Sequence, residues 1–280
     1  MHSAKGPELG DDAGVGSRAS WGGRLVLSPG VALYLGLGAD ADRHAHHAVQ
    51  LAWVAEGKLA LTLPRGTTRA RAVLVPARVP HALSVPARPL ALLLVDGHGA
   101  RGVALDRRAK ELEGEDVADF LSGVAFPSPE ASLGEVDAWI GRLLSALGVE
   151  STDAQAPSRP TRRAIAYIKQ ALDGVPRLAD AATFASTSAS RLSHRFSAEI
   201  GLPFRRFVLW TRVKRAVEIA RGGGDLTASA AAAGFSDAAH LSRTFRAMFG
   251  LSPSAVLTFV ELAGEPWAPT SPLAKRSRTA

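Results

Sequence analysis

The chain has 280 residues with 46% hydrophobic and 21% charged side chains, enough for two buried cores in a folded protein. It has no cysteine, which excludes disulfides, thiolate metal sites and cysteine nucleophiles. Its formal charge of +7 is unevenly placed: residues 161–260 hold 14 Lys and Arg against 6 Asp and Glu, so all other residues together sum to −1. A basic half beside a neutral half points to one half meeting a polyanion.

Residues 1–20 are polar, rich in Gly and Asp, and lack the apolar core of a secretory signal, so they are expected to be a disordered N-terminus. No run approaches the roughly 18 apolar residues of a membrane span. The densest, "PLALLLV" at 89–95, is strand-sized. The expectation is a cytoplasmic protein with no membrane partner.

From residue 21 to about 100, short Val/Leu-rich runs alternate with Gly and Pro ("RLVL", "VALYLGL", "VQLAWVAEG", "KLALTL", "RAVLVP", "HALSV", "PLALLLV"). This punctuation predicts a compact all-β domain. Within it, "GADADRHAHHAVQLAWVAEG" (38–57) places His44 and His46 two residues apart, on one face of a strand. His81 opens a later strand, in "PARVPH". The pattern Gly-x5-His-x-His-x3-Gln-x6-Gly resembles the cupin barrel, where such histidines and a Glu can hold a divalent metal. Here Gln50 stands in place of the usual Glu, and Arg78 in place of a glycine of the second motif. His44, His46, Gln50 and His81 are therefore the candidate ligands, with zinc, iron, copper or nickel as the candidate ion. The alternative is a barrel that has lost its metal and keeps polar residues around an effector pocket.

Two helices are predicted next, at 106–122 and 133–147. The second carries Val136, Ile140, Leu143, Leu144 and Leu147 on one stripe. The stripe has two readings: packing on its own β domain, or a homodimer through 133–147. The neutral part is thus drawn as 21–148, a cupin-like effector and dimerisation domain with a helical appendage. A linker follows at 149–160, aperiodic with two prolines around "STDAQAPSRP".

The remainder, 161–261, reads as all-helical and repeats itself at an offset of 49. Leu192, Ser193, Phe196, Ala198, Gly201 and Leu202 fall on Leu241, Ser242, Phe245, Ala247, Gly250 and Leu251, and Ala181 and Ala182 on Ala230 and Ala231. Each unit has a short Ala-rich helix, a turn ("STS", "GFSD") able to cap the next helix, and a second helix with apolar residues at i, i+4 and i+8. That is one helix-turn-helix built twice. Opposite the stripes lie Ser190, Arg191, His194 and their counterparts Ala239, His240 and Arg243, with Ser193 and Ser242 on the flank. They are donors or small residues, as a major-groove helix requires. "PFRRFVLWTRVKRAVEIA" joins the units as a rod of about 28 Å, near the spacing of successive major grooves. Arg195, Arg205, Arg206, Arg212, Lys214 and Arg246 are candidate phosphate contacts.

"AAAAGFSDAAHLSRTFRAMFGLSPSAV" and "LADAATFASTSASRLSHRFSAEIGLPFRRFV" resemble the AraC/XylS family of bacterial transcriptional regulators, across roughly 161–260. The resemblance implies a seven-helix domain with two helix-turn-helix units that binds promoter DNA, with base-contacting residues at Ser190, Arg191, Ser193 and His194, then Ala239, His240, Ser242 and Arg243. It also implies RNA polymerase as a partner, and a cupin-like sensor for a small-molecule or metal effector. His194 departs from the commonest pattern, where Arg is frequent. The expected architecture is therefore an N-terminal all-β cupin-like barrel with a helical appendage, and a C-terminal all-α domain of two helix-turn-helix units joined by a long helix. Residues 262–280 are expected to be a disordered tail. The expected function is sequence-specific, double-stranded DNA-binding regulation without catalysis. A metal-dependent cupin enzyme with an accessory helical domain is the alternative, and a sensor acting through protein partners is a third.

Overall fold

The computed structural model describes residues 22–149, 157–254 and 260–263. The N-terminal 1–20 segment, most of the 149–160 linker and residues 264–280 lie outside them.

Nine strands open the chain: β1 (Gly22–Ser28), β2 (Val31–Leu37), β3 (Ala41–His44), β4 (Ala48–Val54), β5 (Leu59–Leu63), β6 (Gly66–Ala70), β7 (Ala72–Val75), β8 (His81–Ser84) and β9 (Pro89–Asp96). They form two facing sheets. One has the order β1-β2-β9-β4-β7 and gains a further strand on β1; the other runs β3-β8-β5-β6. Successive side chains on a strand point to opposite faces, so each strand of the larger sheet serves two cores. On β2, Ala32 and Tyr34 face the space between the sheets. Leu33 and Leu35 face outward, under two helices. A sheet covered on both faces explains why "PLALLLV" is apolar without alternation.

Those helices are α1 (Ala100–Glu111) and α2 (Leu133–Ala146), with a short 3-10 turn at Ala118–Leu121 between them. The helix expected at 106–122 thus starts six residues earlier and stops at 111. Gly99 caps its start, and the chain turns at Gly114 with φ +82°. α2 begins in a reciprocal capping box between Ser132 and Glu135. Its stripe (Val136, Ile140, Leu143, Leu144, Leu147) is buried against the outer face of its own sheet, where Trp139 stacks on Trp53 with ring centroids 6.3 Å apart. The stripe is consumed inside one domain, so a homodimer through 133–147 cannot use it.

The helical part comprises α3 (Arg159–Gln170), α4 (Leu178–Phe184), α5 (Ala189–Ile200), α6 (Phe204–Arg221), α7 (Leu226–Ala232) and α8 (Ala238–Phe249). The repeat is visible in the caps. Ser188 accepts from the Arg191 N–H, and Asp237 from the His240 N–H at 2.6 Å. Gly201 and Gly250 close α5 and α8 with φ of +75° and +79°, a left-handed conformation that costs glycine nothing. Leu192 and Phe196 in one copy, and Leu241, Phe245 and Phe249 in the other, are buried; Ile200 is half-buried.

The two halves are packed together. One continuous apolar cluster runs from the space between the sheets into α6, α7 and α8 through Trp210, Met248 and Phe249. Ala100 N–H donates to Gly201 O at 3.2 Å. Past α8, β10 (Val260–Ala263) pairs in parallel with β1, from Gly23 opposite Val260 to Val26 opposite Ala263. Leu262 and Ala263, expected in a disordered tail, therefore belong to the edge of the barrel sheet, because β1 has an edge free to pair.

Candidate functional site

Two sites were expected, and the structure brings them close to one another.

The first is the pair of second helices, α5 and α8. Ser190, Arg191, His194 and Arg195 are exposed on α5, with Ser193 half-buried beside them. On α8, Ala239, Arg243 and Arg246 are exposed, and His240 and Ser242 are half-buried. The His240 ring stands edge-on to Phe235 at 5.2 Å and lies 3.1 Å from the Ser236 hydroxyl, which holds it at the helix start. α6 has 18 residues, so the rod between the units spans about 27 Å.

The candidate phosphate contacts divide. Arg205 and Arg246 are exposed. Arg195 and Lys214 sit 3.9 Å from Glu199 and Glu218, loose pairs one helical turn away. Arg212 donates to Gly174 O at 2.7 Å and packs along Gly234, bracing the first unit against the second. Arg206 is turned inward. Its guanidinium bonds the Asp96 carboxylate through Nη2 and through Nε at 3.0 Å, and only 18% of its side chain is exposed. In this arrangement Arg206 is a contact between the domains and does not face a phosphate, because a fully buried carboxylate holds it.

Asp96 escaped the sequence reading. It closes an otherwise apolar strand, "PLALLLVD", and that lone acid was the available signal. Its side chain is fully buried and accepts from Arg206, from Trp210 Nε1 at 2.6 Å, and from His98 N–H at 3.0 Å. Burial alone would push its pKa up, but the hydrogen bonds from Arg206, Trp210 and His98 outweigh that and hold it below the ordinary carboxylate range.

The second site is the histidine cluster at the mouth of the barrel. His44, His46 and His81 each bring a ring nitrogen to within 4.8 Å of the others. Each Nδ1 meets a backbone carbonyl: Asp42 O at 2.6 Å, Ala48 O at 2.9 Å and Val79 O at 2.9 Å respectively. Those bonds fix the ring orientations and leave the Nε2 atoms free for other partners. Gln50 joins them, with its Oε1 3.0 Å from His46 Nε2. His47, next in sequence, points elsewhere, toward His98 with ring centroids 5.8 Å apart. Arg78, in the place of the motif glycine, adopts φ +65°, the left-handed backbone a glycine would favour.

The cluster fits a divalent ion on two observations. Burial pushes His46 below its ordinary pKa and His81 down to about 4, so both are neutral, as a metal requires. His81 Nε2 and Gln50 Nε2 are buried with no hydrogen-bond partner. A cation answers the His81 Nε2 lone pair, left open because Nδ1 meets Val79 O, whereas the Gln50 amide N–H groups are donors and call for an acceptor; no Asp or Glu joins the cluster among the described residues.

Comparison with known proteins gives one match in sequence. A helix-turn-helix domain model matches residues 181–258, which span α4 to α8 almost entirely. The doubled unit is therefore a DNA-binding element. No curated protein sequence matches the chain. Among solved structures, the chain is similar to ToxT from Vibrio cholerae at 12% identity and TM-score 0.43, over 82% of this chain and 98% of that one. It is similar to unsaturated fatty acid-bound ToxT from strain SCE256 at 13% identity and TM-score 0.41, over 82% and 94%. The C-terminal domain of AraT, a response regulator from Geobacillus stearothermophilus, matches at 24% identity and TM-score 0.33, over 36% and 84%.

Proposed function

We propose that this chain, which carries an AraC-type helix-turn-helix domain over residues 181–258, is a transcriptional regulator that reads double-stranded DNA with α5 and α8 and senses an effector in its barrel. The observation that carries this is the duplication. Two capped helices present Ser190, Arg191, Ser193 and His194, then Ala239, His240, Ser242 and Arg243, from opposite ends of one rigid rod. Base contacts come from these residues, with Arg205, Arg246, Arg195 and Lys214 at the phosphates. Selecting bound duplexes from a random pool tests this. A two-part motif with its halves about one helical turn apart is the expected product. Recovery of unenriched DNA at low salt would overturn it.

The effector is a small molecule, a divalent metal, or a small molecule bound through a metal. His44, His46 and His81 would hold the ion, with Gln50 beside them, and when bound it supplies an electrophilic centre for an anionic effector group. ToxT, one of the similar proteins, has been solved with an unsaturated fatty acid bound. In this chain the DNA-binding part walls the barrel mouth, so ligand binding there is felt directly by the reading unit. The function proposed is one of binding, with no catalytic step. Among the described residues no helix is long and apolar enough to cross a membrane, which suits a cytoplasmic regulator. RNA polymerase is its expected partner at the promoter. Any self-association must use a surface other than the α2 stripe.

A further inference from the structure

The histidine cluster is closed on its outer side by the second helix-turn-helix unit. The Ala247 carbonyl, in the last turn of α8, accepts the His47 N–H at 2.8 Å. Gly250 then passes so near that a Cβ on it would stand 2.1 Å from His44 Cδ2, 2.5 Å from His44 Nε2 and 2.9 Å from His46 Cδ2. The backbone that ends one DNA-reading helix is thus a wall of the candidate metal site.

We infer that a divalent cation at His44, His46 and His81 competes with the docked position of α8: the ion loosens the barrel's hold on the second reading unit, and the docked unit weakens the ion's hold in return. This rests on the metal-sensing function proposed above and adds its mechanism of regulation.

Geometry gives the direction. The three ring nitrogens lie up to 4.8 Å apart. Nitrogens sharing one zinc at bonds of 2.0–2.1 Å stand about 3.3 Å apart, so the rings must draw together. His46 and His81 are 2% and 1% exposed and held within the barrel. His44 is half-buried at the end of β3, where the register against β8 shifts between Ala41 and His44. It can move together with the β3 end whose Asp42 carbonyl orients it, and its Nε2 edge is the one against Gly250. Three nitrogens also leave coordination positions for water or effector, and the outward side is the one Gly250 fills. The link after β3 that carries His46 also carries the His47 N–H, so shifting His44 and this link strains the bond to Ala247.

Docking has a second hold, which touches none of the three candidate ligands. Asp96 grips Arg206 and Trp210 of α6. Weakening that grip without touching a ligand should favour the ion, because coupling between two sites is reciprocal.

Zinc affinity of the full chain, measured by competition with a chromophoric chelator, tests this in wild type, Asp96→Asn and Trp210→Phe. Zinc should bind at least fivefold tighter to both variants. Hydrogen exchange of wild type should show the His47 amide losing protection when zinc is added. If Asp96→Asn does not fold, Trp210→Phe and the wild-type exchange measurement still decide. Stoichiometric zinc with equal or weaker affinity in the variants, and unchanged His47 exchange, would overturn the coupling while leaving the metal site standing. No zinc uptake by any of the three would overturn both.

Discussion

The indole N–H of Trp210, midway along the rod between the two reading units, donates at 2.6 Å to the carboxylate of Asp96, the last residue of the barrel's final strand. The same oxygen takes the Arg206 guanidinium, and the other oxygen takes His98 Nδ1 at 2.9 Å. One buried carboxylate thus ties the sensing half to the rod.

Asp96→Ala should destabilise the chain by roughly 3–5 kcal/mol, toward the low end because Arg206 keeps some access to water. Urea unfolding measures it; a change under 1 kcal/mol would mean the pair is replaced by solvent. The depressed pKa sets the pH dependence. The stabilisation is present above the ordinary carboxylate pKa of about 3.9 and is lost as pH falls through the lower folded value. Docking should therefore hold at neutral pH and fail only in strong acid, as read by hydrogen exchange at Ala100 or by tryptophan emission.

Arg243→Ala should cost about 1–3 kcal/mol on the selected duplex and relax preference at one base position. Its side chain is exposed on α8. Equal losses on every duplex would make it a phosphate contact instead.

Arg205→Ala should weaken all duplexes alike and reduce the salt slope by about one. Arg206→Ala should leave that slope nearly unchanged for the docked chain, because its guanidinium is committed to Asp96. Measuring binding at several salt concentrations separates the two arginines; identical slopes would show that the domains part on DNA.

Gln50→Glu supplies a carboxylate where the amide nitrogen now has no partner. Without metal the buried acid should lower the melting temperature, and with zinc it should restore or exceed it. Equal melting shifts for wild type and variant would place Gln50 outside the coordination sphere.

Trp139→Ala should cost about 3–5 kcal/mol by removing the ring stacked on Trp53. Loss of stability without change in oligomeric state is expected. A stable protein that has merely become monomeric would return the α2 stripe to a subunit interface.

Much of this protein was written locally. The 49-residue echo, the glycines at 201 and 250 and the capping Ser188 and Asp237 specify two like units, because caps and apolar stripes act within a few residues. The alternating runs of the first half specify strands for the same reason. His44, His46 and His81 were legible as a set from their motif spacing, but not as a strand face: β3 ends at His44, and His46 lies in the link to β4. What sequence left open turned on partners distant in the chain. The α2 stripe read equally as core or interface, and only the sheet packed beneath it decides for core. The start of α1 slipped because its N-cap is a plain glycine with no side-chain signal. Arg206 read as one more cation on a basic rod, since nothing nearby in the sequence shows that Asp96, 110 residues away, would claim it. Nor could any local pattern place Gly250 against His44. Short-range propensity chose the elements, whereas the meeting of barrel mouth and reading unit depends on surfaces that exist only once both halves have folded.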